Sequence, residues 1–457
     1  MGGGPGASIS GSARRSCEDT NPGTSGQHSG ADELAIAGRR KETREASPKW
    51  PDANMIRNIR VEGFKSIASQ AVDLGRVNCF IGANGVGKSN LLEAIGILGA
   101  AASGSVDDEA IVRRGVRAGL PRLYKTAFKD ERIRPHITLE ATGEAGSTYR
   151  VSLLNPLENP NPAWSFKTES LADDSGGFVS RGVRGDKENL LETAGLAALK
   201  LVEMPADGAA TRLLQTLQDY AIYCPNTPSL RGTVQDGQMR PPVGLSGGRL
   251  AEGFQDLRKT RGLNDDHLDS VFELIDWASD IGATEEARSL LSPSVPRSKN
   301  VLLFTDRFME AGRNALTAYD ASEGALYVLF SAVLCLSPSS PRLFAVDNLD
   351  QALNPRLMAR LASRLAGWLK AASSSRQLLF TAHNPAVLDG LDLADDEVRL
   401  FAVERNSDGH SCVRRVTLSD DLLKLNKEYP LSRLWMMGHL EAACGAADGG
   451  ANSETAS

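Results

Sequence analysis

The sequence lacks several features that define common protein classes. Its six cysteines include no C-x-x-C pair and no metal-site spacing, and a chain of 457 residues does not need a disulfide framework in order to fold. Its longest apolar run, residues 325–336, is shorter than the roughly 20 residues that span a membrane. Residues 1–30 contain no apolar segment of the kind found in secretory signals. These absences predict a soluble, cytoplasmic protein with no membrane partner.

The sequence also lacks a net positive charge and long helical repeats. The formal net charge is −6, so the chain as a whole does not attract nucleic acid, and any DNA contact must be local. Residues 111–135 are the local exception, because Arg and Lys far outnumber Asp and Glu there. Two interpretations of this segment stay open: a solvated face, or a contact surface for the phosphate backbone of DNA. No heptad repeat persists over several turns, which argues against a long coiled coil.

The chain does contain one complete phosphate-binding motif. Residues 82–89 read G-A-N-G-V-G-K-S, which matches G-x-x-x-x-G-K-[ST] at every position. An apolar run, residues 77–81, precedes the motif, and apolar residues spaced like one face of a helix follow it. In a strand–loop–helix of this kind, successive backbone N–H groups converge on a phosphate chain. The predicted nucleotide-binding residues are Gly82, Asn84, Gly85, Gly87, Lys88, Ser89 and Asn90.

A second part of the site is predicted far downstream. Residues 342–346 read as a buried strand that ends at Asp347, where a carboxylate can hold Mg²⁺ opposite Ser89. The next apolar run, residues 377–381, ends just before His383, a position from which a histidine can sense the γ-phosphate. The predicted cofactors are therefore ATP and Mg²⁺. The predicted catalytic residues are Lys88, Asp347, Asn348 and His383, and the predicted metal ligands are Ser89 and Asp347.

These motifs follow one another as in the ATP-binding-cassette (ABC) branch of P-loop ATPases. The sequence resembles the stand-alone RecF-like and OLD-like (overcoming-lysogenisation-defect) AAA-type ATPases over about residues 55–440. Five segments carry the resemblance: residues 59–66, 82–90, 322–324, 347–355 and 381–384. The resemblance implies an α/β P-loop NTPase fold like an ABC or SMC head, with an antiparallel β subdomain, a helical insertion and no long coiled coil. It also implies an ATP sandwich between two heads, so a second copy of the chain is a predicted partner.

Two segments compete for the signature Ser-x-Gly, which in that family binds the γ-phosphate held by the opposite head. Residues 245–248 spell the transporter form, L-S-G-G, but lie far upstream of Asp347. Ser322 and Gly324 are separated from Asp347 by a single predicted helix, whose N-terminus favours a phosphate. Because one helix joins the signature to the strand with the magnesium carboxylate in the family, we assign Ser322 and Gly324 to this role.

The sequence departs from the family directly after Asp347. Relatives carry a glutamate there that deprotonates the attacking water, whereas this chain has Asn348. An amide positions water through hydrogen bonds but does not accept its proton at neutral pH. Asp350 is the alternative base, and the middle region offers no convincing Q-loop glutamine. We therefore expect tight ATP binding with slow hydrolysis.

The predicted function is that of an ATPase whose ATP-driven dimerisation regulates a partner. The resemblance implies a role in phage defence or DNA repair beside a separately encoded nuclease or other effector, as for ATPases of the Septu type, with DNA as a further candidate partner. Two alternatives stay open: a scaffold protein that binds ATP without hydrolysing it and, less favoured, the ATPase subunit of a transporter.

Composition divides the chain into three parts. Residues 1–54 and 441–457 lack apolar periodicity and are predicted to be disordered tails, with Met55 as an alternative start. The ATPase domain is predicted to cover residues 55–440. It consists of a lobe with the P-loop (55–155), a helical and loop-rich insertion (156–300), and a lobe with the signature, Asp347 and His383 (301–440). Around and within the insertion, residues 155–187 are predicted to be loop-rich, and residues 189–219 and roughly 246–290 to be helical.

Overall fold

The structure, a computed structural model, describes most of the chain between Met55 and Leu440. The described residues are 55–129, 131–182, 191–261, 265–285, 290–296, 298–373 and 375–440. Both predicted tails, residues 1–54 and 441–457, lie outside them, as does the beginning of a helical stretch predicted over residues 189–219. Strands and helices are numbered in chain order.

A six-stranded sheet with a parallel core forms the centre of the domain. Its strands are β3 (Val77–Ile81), β8 (Ala221–Tyr223), β12 (Leu343–Val346), β13 (Gln377–Ala382), β14 (Val398–Arg405) and β15 (Ser411–Val416). Their order is β15-β14-β3-β13-β12-β8, and β15 is antiparallel to β14 while all the other neighbours are parallel. β3, β12 and β13 are buried along their whole length, which is why their sequences are continuous apolar runs.

A second six-stranded sheet is antiparallel throughout. Its strands are β1 (Asn58–Phe64), β2 (Ile67–Asp73), β4 (His136–Thr142), β5 (Thr148–Leu154), β6 (Ser165–Asp173) and β7 (Gly176–Arg181). Their order is β2-β1-β4-β5-β6-β7. Buried and less buried positions alternate along β4 and β5, as expected for a sheet that packs on the core with one face. The predicted α/β fold with an antiparallel β subdomain is confirmed.

Helix α1 (Lys88–Ala102) lies between the two large sheets. Its buried apolar residues pack with one face of the parallel sheet and with the inner face of the antiparallel sheet. Gly96 and Gly99 allow this close packing, because a Cβ on Gly96 would lie 2.4 Å from Val116 Cγ2, and one on Gly99 would lie 2.4 Å from the carbonyl oxygen of Leu217. The other face of the parallel sheet is covered by α9 (Glu323–Leu336) and α10 (Pro355–Ala372).

The remaining helices and strands surround this core. The helices are α2 (Asp108–Val112), α3 (Pro121–Tyr124), α4 (Leu196–Lys200), α5 (Ala209–Gln218), α6 (Thr227–Leu230), α7 (Leu250–Arg261), α8 (Asp266–Leu274), α11 (Asp420–Asn426) and α12 (Leu431–Met436). A small antiparallel sheet consists of β9 (Ala278–Thr284), β10 (Val301–Asp306) and β11 (Ala315–Thr317). No helix in the described ranges is longer than the 18 residues of α10, and none is long and apolar enough to cross a membrane.

Three sequence-based expectations about this middle region were wrong. Residues 155–187 were expected to be loops, but β6 and β7 extend the antiparallel sheet there. Helices were expected over residues 246–290, but β9 lies within that range because it pairs with β10. Residues 189–219 were expected to be helical, but the stretch is interrupted between α4 and α5, since Pro205 and Gly208 lie there.

Arginines occupy the amino-terminal edge of the parallel sheet, where the covering helices end. Their guanidinium groups donate to the carbonyl oxygens that a helix leaves without partners at its C-terminus, and their charge opposes the negative end of the helix dipole. The contacts are Arg114 Nη2 to Gln218 O (3.0 Å), Arg261 Nε to Leu336 O (3.3 Å), Arg261 Nη2 to Ala371 O (3.1 Å) and Arg376 Nη1 to Cys335 O (3.1 Å). These arginines therefore stabilise the ends of the covering helices.

Candidate nucleotide-binding site

The P-loop lies between β3 and α1, at the carboxyl edge of the parallel sheet, as the sequence predicts. Two of its glycines are required by neighbouring strands. A Cβ on Gly82 would lie 2.1 Å from the carbonyl oxygen of Val403, and one on Gly87, whose φ is +108°, would lie 2.1 Å from Ser411 Oγ. Gly85 also has a positive φ, but the space around its Cβ is open. The loop is therefore packed against the β14–β15 hairpin on one side and accessible on the other.

This cradle fits a phosphate chain. Gly87 precedes α1 without any side-chain cap, and the N–H groups of Gly85 and Gly87 make no hydrogen bond to another described residue. Lys88 Nζ donates to Gly82 O (2.8 Å) and Ala83 O (2.9 Å) and lies 3.2 Å from His383 Nδ1. Burial lowers the pKa of Lys88, against the opposing effect of the carboxylates of Asp347 and Asp350. The loop thus has two unpaired N–H donors and the Lys88 ammonium with which to bind an anion.

The predicted metal ligands lie together. Ser89 Oγ donates to Asp347 Oδ1 over 3.0 Å, which joins the first turn of α1 to the end of β12. No cluster of three or more His, Cys, Asp or Glu side chains suited to a metal occurs in the ranges that the structure describes. One hydroxyl and one carboxylate suit Mg²⁺, which usually keeps several waters and takes further oxygens from phosphate. The donor set therefore fits Mg²⁺ bound together with a nucleotide.

Thr381, at the end of β13, is a member of the site that sequence reasoning did not single out. Its hydroxyl donates to Asp347 Oδ1 (2.6 Å) and accepts from the main-chain N–H of Asn348 (2.8 Å). The side chain is fully buried. A threonine at the end of an apolar run is a weak signal on its own, and its meaning comes from the parallel pairing of β12 with β13.

His383 contacts both Lys88 and Asn348, and the two contacts together identify its tautomer. An ammonium only donates, so His383 Nδ1 is the acceptor towards Lys88 Nζ. His383 Nε2 therefore carries the proton and donates to Asn348 Oδ1 over 3.0 Å. Asn348 has a φ of +58°, a region that asparagine tolerates better than most residues. The amide is held at the site by its backbone and by the histidine.

Asp350, the alternative base, is already engaged. Its Oδ2 accepts hydrogen bonds from the main-chain N–H groups of His383 (2.8 Å) and Asn384 (2.6 Å). These two bonds occupy Oδ2 and fix the orientation of the carboxylate. Asp350 thus anchors the segment that carries His383, a positioning role that nothing in the sequence indicated.

The strand next to β12 ends without a glutamine. Asp347 N donates to the carbonyl oxygen of Tyr223, the last residue of β8, and Cys224 follows with an exposed free thiol. Desolvation by the surrounding protein atoms and the nearby Asp347 carboxylate raise the pKa of Cys224. Asn226, two residues further on, accepts from Ser229 N over 3.0 Å and caps α6. The structure therefore identifies the strand end beside Asp347 but no Q-loop glutamine on it.

The two signature candidates lie in different surroundings. Ser322 is exposed and caps α9, its Oγ accepting from Ala325 N over 3.3 Å, and α9 leads directly to β12. Ser246 is half-buried, and its N–H donates to Asp236 Oδ2 over 2.8 Å. A Cβ on Gly247 would lie 2.4 Å from Leu230 Cδ2, so residues 245–248 are packed into the fold. Ser322 and Gly324 are outside the Lys88–Asp347 cluster, and Ser322 borders a separate cavity.

The basic segment, residues 111–135, divides into structural and exposed cations. Lys125 is buried and donates to Asn155 O over 2.5 Å, and Arg117 Nε lies 2.5 Å from Glu93 Oε1 on α1. Glu93 also pairs with Lys65, a residue of the β1–β2 turn. Four cations are exposed and have no hydrogen-bond or ion-pair partner within the described part of the chain: Arg122, Lys129, Arg132 and Arg134.

Residues around the P-loop tie it to distant segments. Asn90 Nδ2 donates to Ser66 Oγ (2.7 Å), and Ser411 Oγ donates to the carbonyl oxygen of Val86 (2.5 Å) and lies 2.6 Å from Ser66 Oγ. Asn84, in contrast, is exposed at the loop tip. Ser411 is far from the motif in sequence, so no local pattern pointed to it.

Two family models match the sequence. Residues 55–131 match a family described as "AAA ATPase domain", and residues 248–389 match one described as "AAA domain, putative AbiEii toxin, Type IV TA system". Each match covers less than half of the chain, and together they include every predicted site residue. No curated protein matches the sequence.

Several solved structures are similar to this one at low sequence identity. An SMC head bound to the C-winged helix domain of ScpA is 14% identical, with a TM-score of 0.49, and the alignment covers 81% of this chain and 99% of that one. The SMC head domain from Thermotoga maritima is 14% identical (TM-score 0.42; 79% and 99% covered), and an SMC head with an extended coiled coil, bound to the C-terminal domain of ScpA derived from Pyrococcus furiosus, is 13% identical (0.43; 82% and 99%).

The family matches agree with the geometry. A P-loop follows the central strand of a parallel sheet, an acid follows the strand two places along, and an antiparallel β subdomain covers the P-loop helix. This chain therefore contains a P-loop ATPase domain of α/β fold, in which two segments match AAA-type family models.

Proposed function

We propose that this protein is an ATP-dependent switch, in which ATP and Mg²⁺ bound at the P-loop join two copies of the chain and the joined state controls a separately encoded nuclease or other effector. One observation carries the proposal: a ring at the carboxyl edge of the parallel sheet, made of five hydrogen bonds and closed by the peptide bond between Lys88 and Ser89. Its members, in order, are Lys88, His383, Asn348, Thr381, Asp347 and Ser89. Because the ring includes the P-loop and the ends of β12 and β13, an anion that draws Lys88 away from His383 alters all three.

The groups at this site have roles that suit their chemistry. The free N–H groups of the loop and Lys88 bind phosphate oxygens, and Ser89 and Asp347 hold Mg²⁺. Mg²⁺, when bound, neutralises negative charge on the phosphates. Asn348 orients a water by hydrogen bonding, and Asp350 keeps His383 in place. With no free carboxylate at this position, hydrolysis is slow and the joined state is long-lived.

The setting we propose is phage defence or DNA repair, as the family resemblance supports. The exposed, unpaired cations Arg122, Lys129, Arg132 and Arg134 are the surface that we assign to DNA, since phosphate contacts of this kind give binding without sequence preference.

Light scattering of the full chain after gel filtration tests the switch. We expect a monomer without nucleotide and a dimer with ATP and Mg²⁺. Ser322→Arg places a bulky cation on the exposed face that meets the second copy, so it should block the dimer without changing ATP affinity. Ser339→Arg, a matched change at an exposed serine on the opposite edge of the sheet, should dimerise like the wild type. The proposal fails if the wild type stays monomeric with ATP bound.

A second candidate, a scaffold that binds ATP and never hydrolyses it, is favoured by the same two residues, Asn348 and Asp350. The first cannot accept a proton, and the second is engaged by two main-chain N–H groups. Analysis of the nucleotide that heat releases from the purified protein distinguishes the scaffold from the switch. Intact ATP that persists for days supports the scaffold, and conversion to ADP over minutes to hours supports the switch.

A further inference from the structure

A cavity on the surface of the domain joins the beginnings of two helices that the sequence places far apart. It has a volume of about 310 Å³ and is bordered by Ser322, which caps α9, and Asn354, which caps α10. Gly324 allows the two helices to meet, because a Cβ there would lie 3.2 Å from Leu357 Cδ2 and 3.5 Å from the carbonyl oxygen of Ala352. The cavity is therefore a built junction of α9 with α10.

One side chain at this junction has no structural function that the contacts reveal. Arg356, in the first turn of α10, borders the cavity, is exposed, and makes no hydrogen bond or ion pair with any described residue. The next arginines along the same helix differ: Arg360, also at the cavity, donates to Glu273 O over 2.6 Å, and Arg364 pairs with Glu273. Arg356 also lies at the start of its helix, where a cation is opposed by the helix dipole. Arg356 is therefore available to an anion that enters the cavity from outside.

We propose that Arg356 binds the terminal phosphate of the nucleotide held by the second copy of the chain, beside Ser322. This inference rests on the proposed function, which brings that nucleotide to Ser322, and it adds a guanidinium to the contact. A guanidinium donates two parallel hydrogen bonds to phosphate oxygens and remains charged at any physiological pH. An arginine supplied by a neighbouring subunit is a general means of stabilising charge on a phosphoryl group.

One acidic group faces the same cavity. Asp276, which follows α8, is exposed and forms no ion pair with Arg356. Its negative charge repels an incoming phosphate, so the cavity should bind phosphate more weakly than Arg356 and Arg360 alone would. Asp276→Asn should therefore strengthen the ATP-dependent dimer.

The first experiment compares ATP-dependent dimerisation of the wild type, Arg356→Ala and Arg342→Ala by light scattering. Arg342 is the matched control, because it is exposed and unpaired in the described residues but lies at the opposite edge of the sheet. Arg356→Ala should bind ATP as a monomer with unchanged affinity and dimerise about 100-fold more weakly, because the symmetric dimer loses two charge-assisted contacts, each of which contributes about 10-fold. Arg342→Ala should match the wild type, and Arg356→Lys should retain part of the dimer.

A mixing experiment then tests whether Arg356 acts across the interface. Lys88→Ala alone should fail to bind ATP, and Arg356→Ala alone should dimerise poorly. A mixed dimer of the two has one site with an intact P-loop from one copy and an intact Arg356 from the other. Random mixing should restore about a quarter of the wild-type number of closed, nucleotide-filled sites, measured as nucleotide retained per dimer. If the mixture restores none, Arg356 acts within its own chain and the inference is wrong.

The outcomes separate the inference from the proposed function. If the wild type forms no dimer with ATP, both are wrong. If the wild type dimerises and Arg356→Ala dimerises equally well, the switch stands and the role of Arg356 is rejected.

Discussion

Thr381 Oγ1 donates a 2.6 Å hydrogen bond to Asp347 Oδ1 and accepts one of 2.8 Å from the N–H of Asn348. A single buried hydroxyl thus connects the ends of two parallel strands. Thr381→Val keeps the shape and removes both bonds, so the buried N–H of Asn348 loses its partner. We expect a loss of about 1–3 kcal/mol in the free energy of unfolding, measured by urea denaturation.

The matched control is Thr381→Ser, which keeps the hydroxyl and removes a methyl group. Its stability should lie between those of the wild type and Thr381→Val, and Mg²⁺-dependent ATP binding should fall only for Thr381→Val. Equal stability of Thr381→Val and the wild type would show that the bridge contributes nothing.

Lys88→Ala should weaken ATP binding by about 100-fold or more, because it removes the one cation that the loop holds and its charge-assisted bonds to phosphate. Isothermal titration with ATP and Mg²⁺ measures the change. Lys129→Ala, at an exposed and unpaired lysine, is the control and should leave the affinity as it is. Unchanged affinity for Lys88→Ala would remove the P-loop assignment.

Asn348→Glu should speed single-turnover ATP hydrolysis by about 10-fold or more, because it supplies a base where the wild type has an amide that accepts a proton poorly. Asn348→Gln, which adds the same length without the carboxylate, should remain slow. Fast hydrolysis by the wild type would contradict the expectation, and Asp350→Asn would then test whether the anchored carboxylate is the base.

Glu169 provides a pH-dependent contribution to stability away from the nucleotide site. It is fully buried, its Oε2 accepts from Leu196 N (2.6 Å), and its Oε1 accepts from Ala197 N (3.1 Å) and from the Tyr149 hydroxyl (3.0 Å). Burial raises the pKa of Glu169 despite these bonds. The folded chain therefore keeps this proton to a higher pH than the unfolded chain, for which the pKa is about 4.3.

The sign of the effect follows from this difference. The stabilisation from Glu169 is complete at low pH and is lost as the pH rises through the raised folded pKa. Relative to Glu169→Gln, the wild type should lose thermal stability as the pH rises above the unfolded-state pKa of about 4.3, which scanning calorimetry measures. A difference in Tm between the two proteins that does not vary with pH would contradict this.

The parts of the fold that the sequence predicted well are those with local signals. The P-loop has glycines, a lysine and a serine at set spacings, and β3, β12 and β13 are continuous apolar runs. The anchoring role of Asp350 and the bridge through Thr381 are invisible in sequence, because they depend on the register of β12 with β13. β9 was mistaken for helix because a short strand gains its stability from β10, which follows only after an intervening loop.

The position of β3 has a consequence for the order in which the protein is made. Val77 pairs with Leu378 on one side and Val398 on the other, and Gly87 packs against Ser411. Both neighbours of the P-loop strand are thus translated about 300 residues after it, and contacts of such sequence separation form slowly. On the ribosome the nucleotide loop therefore gains its neighbouring strands only after β13, β14 and β15 have emerged, so we expect ATP to bind only once the chain has been made as far as Val416.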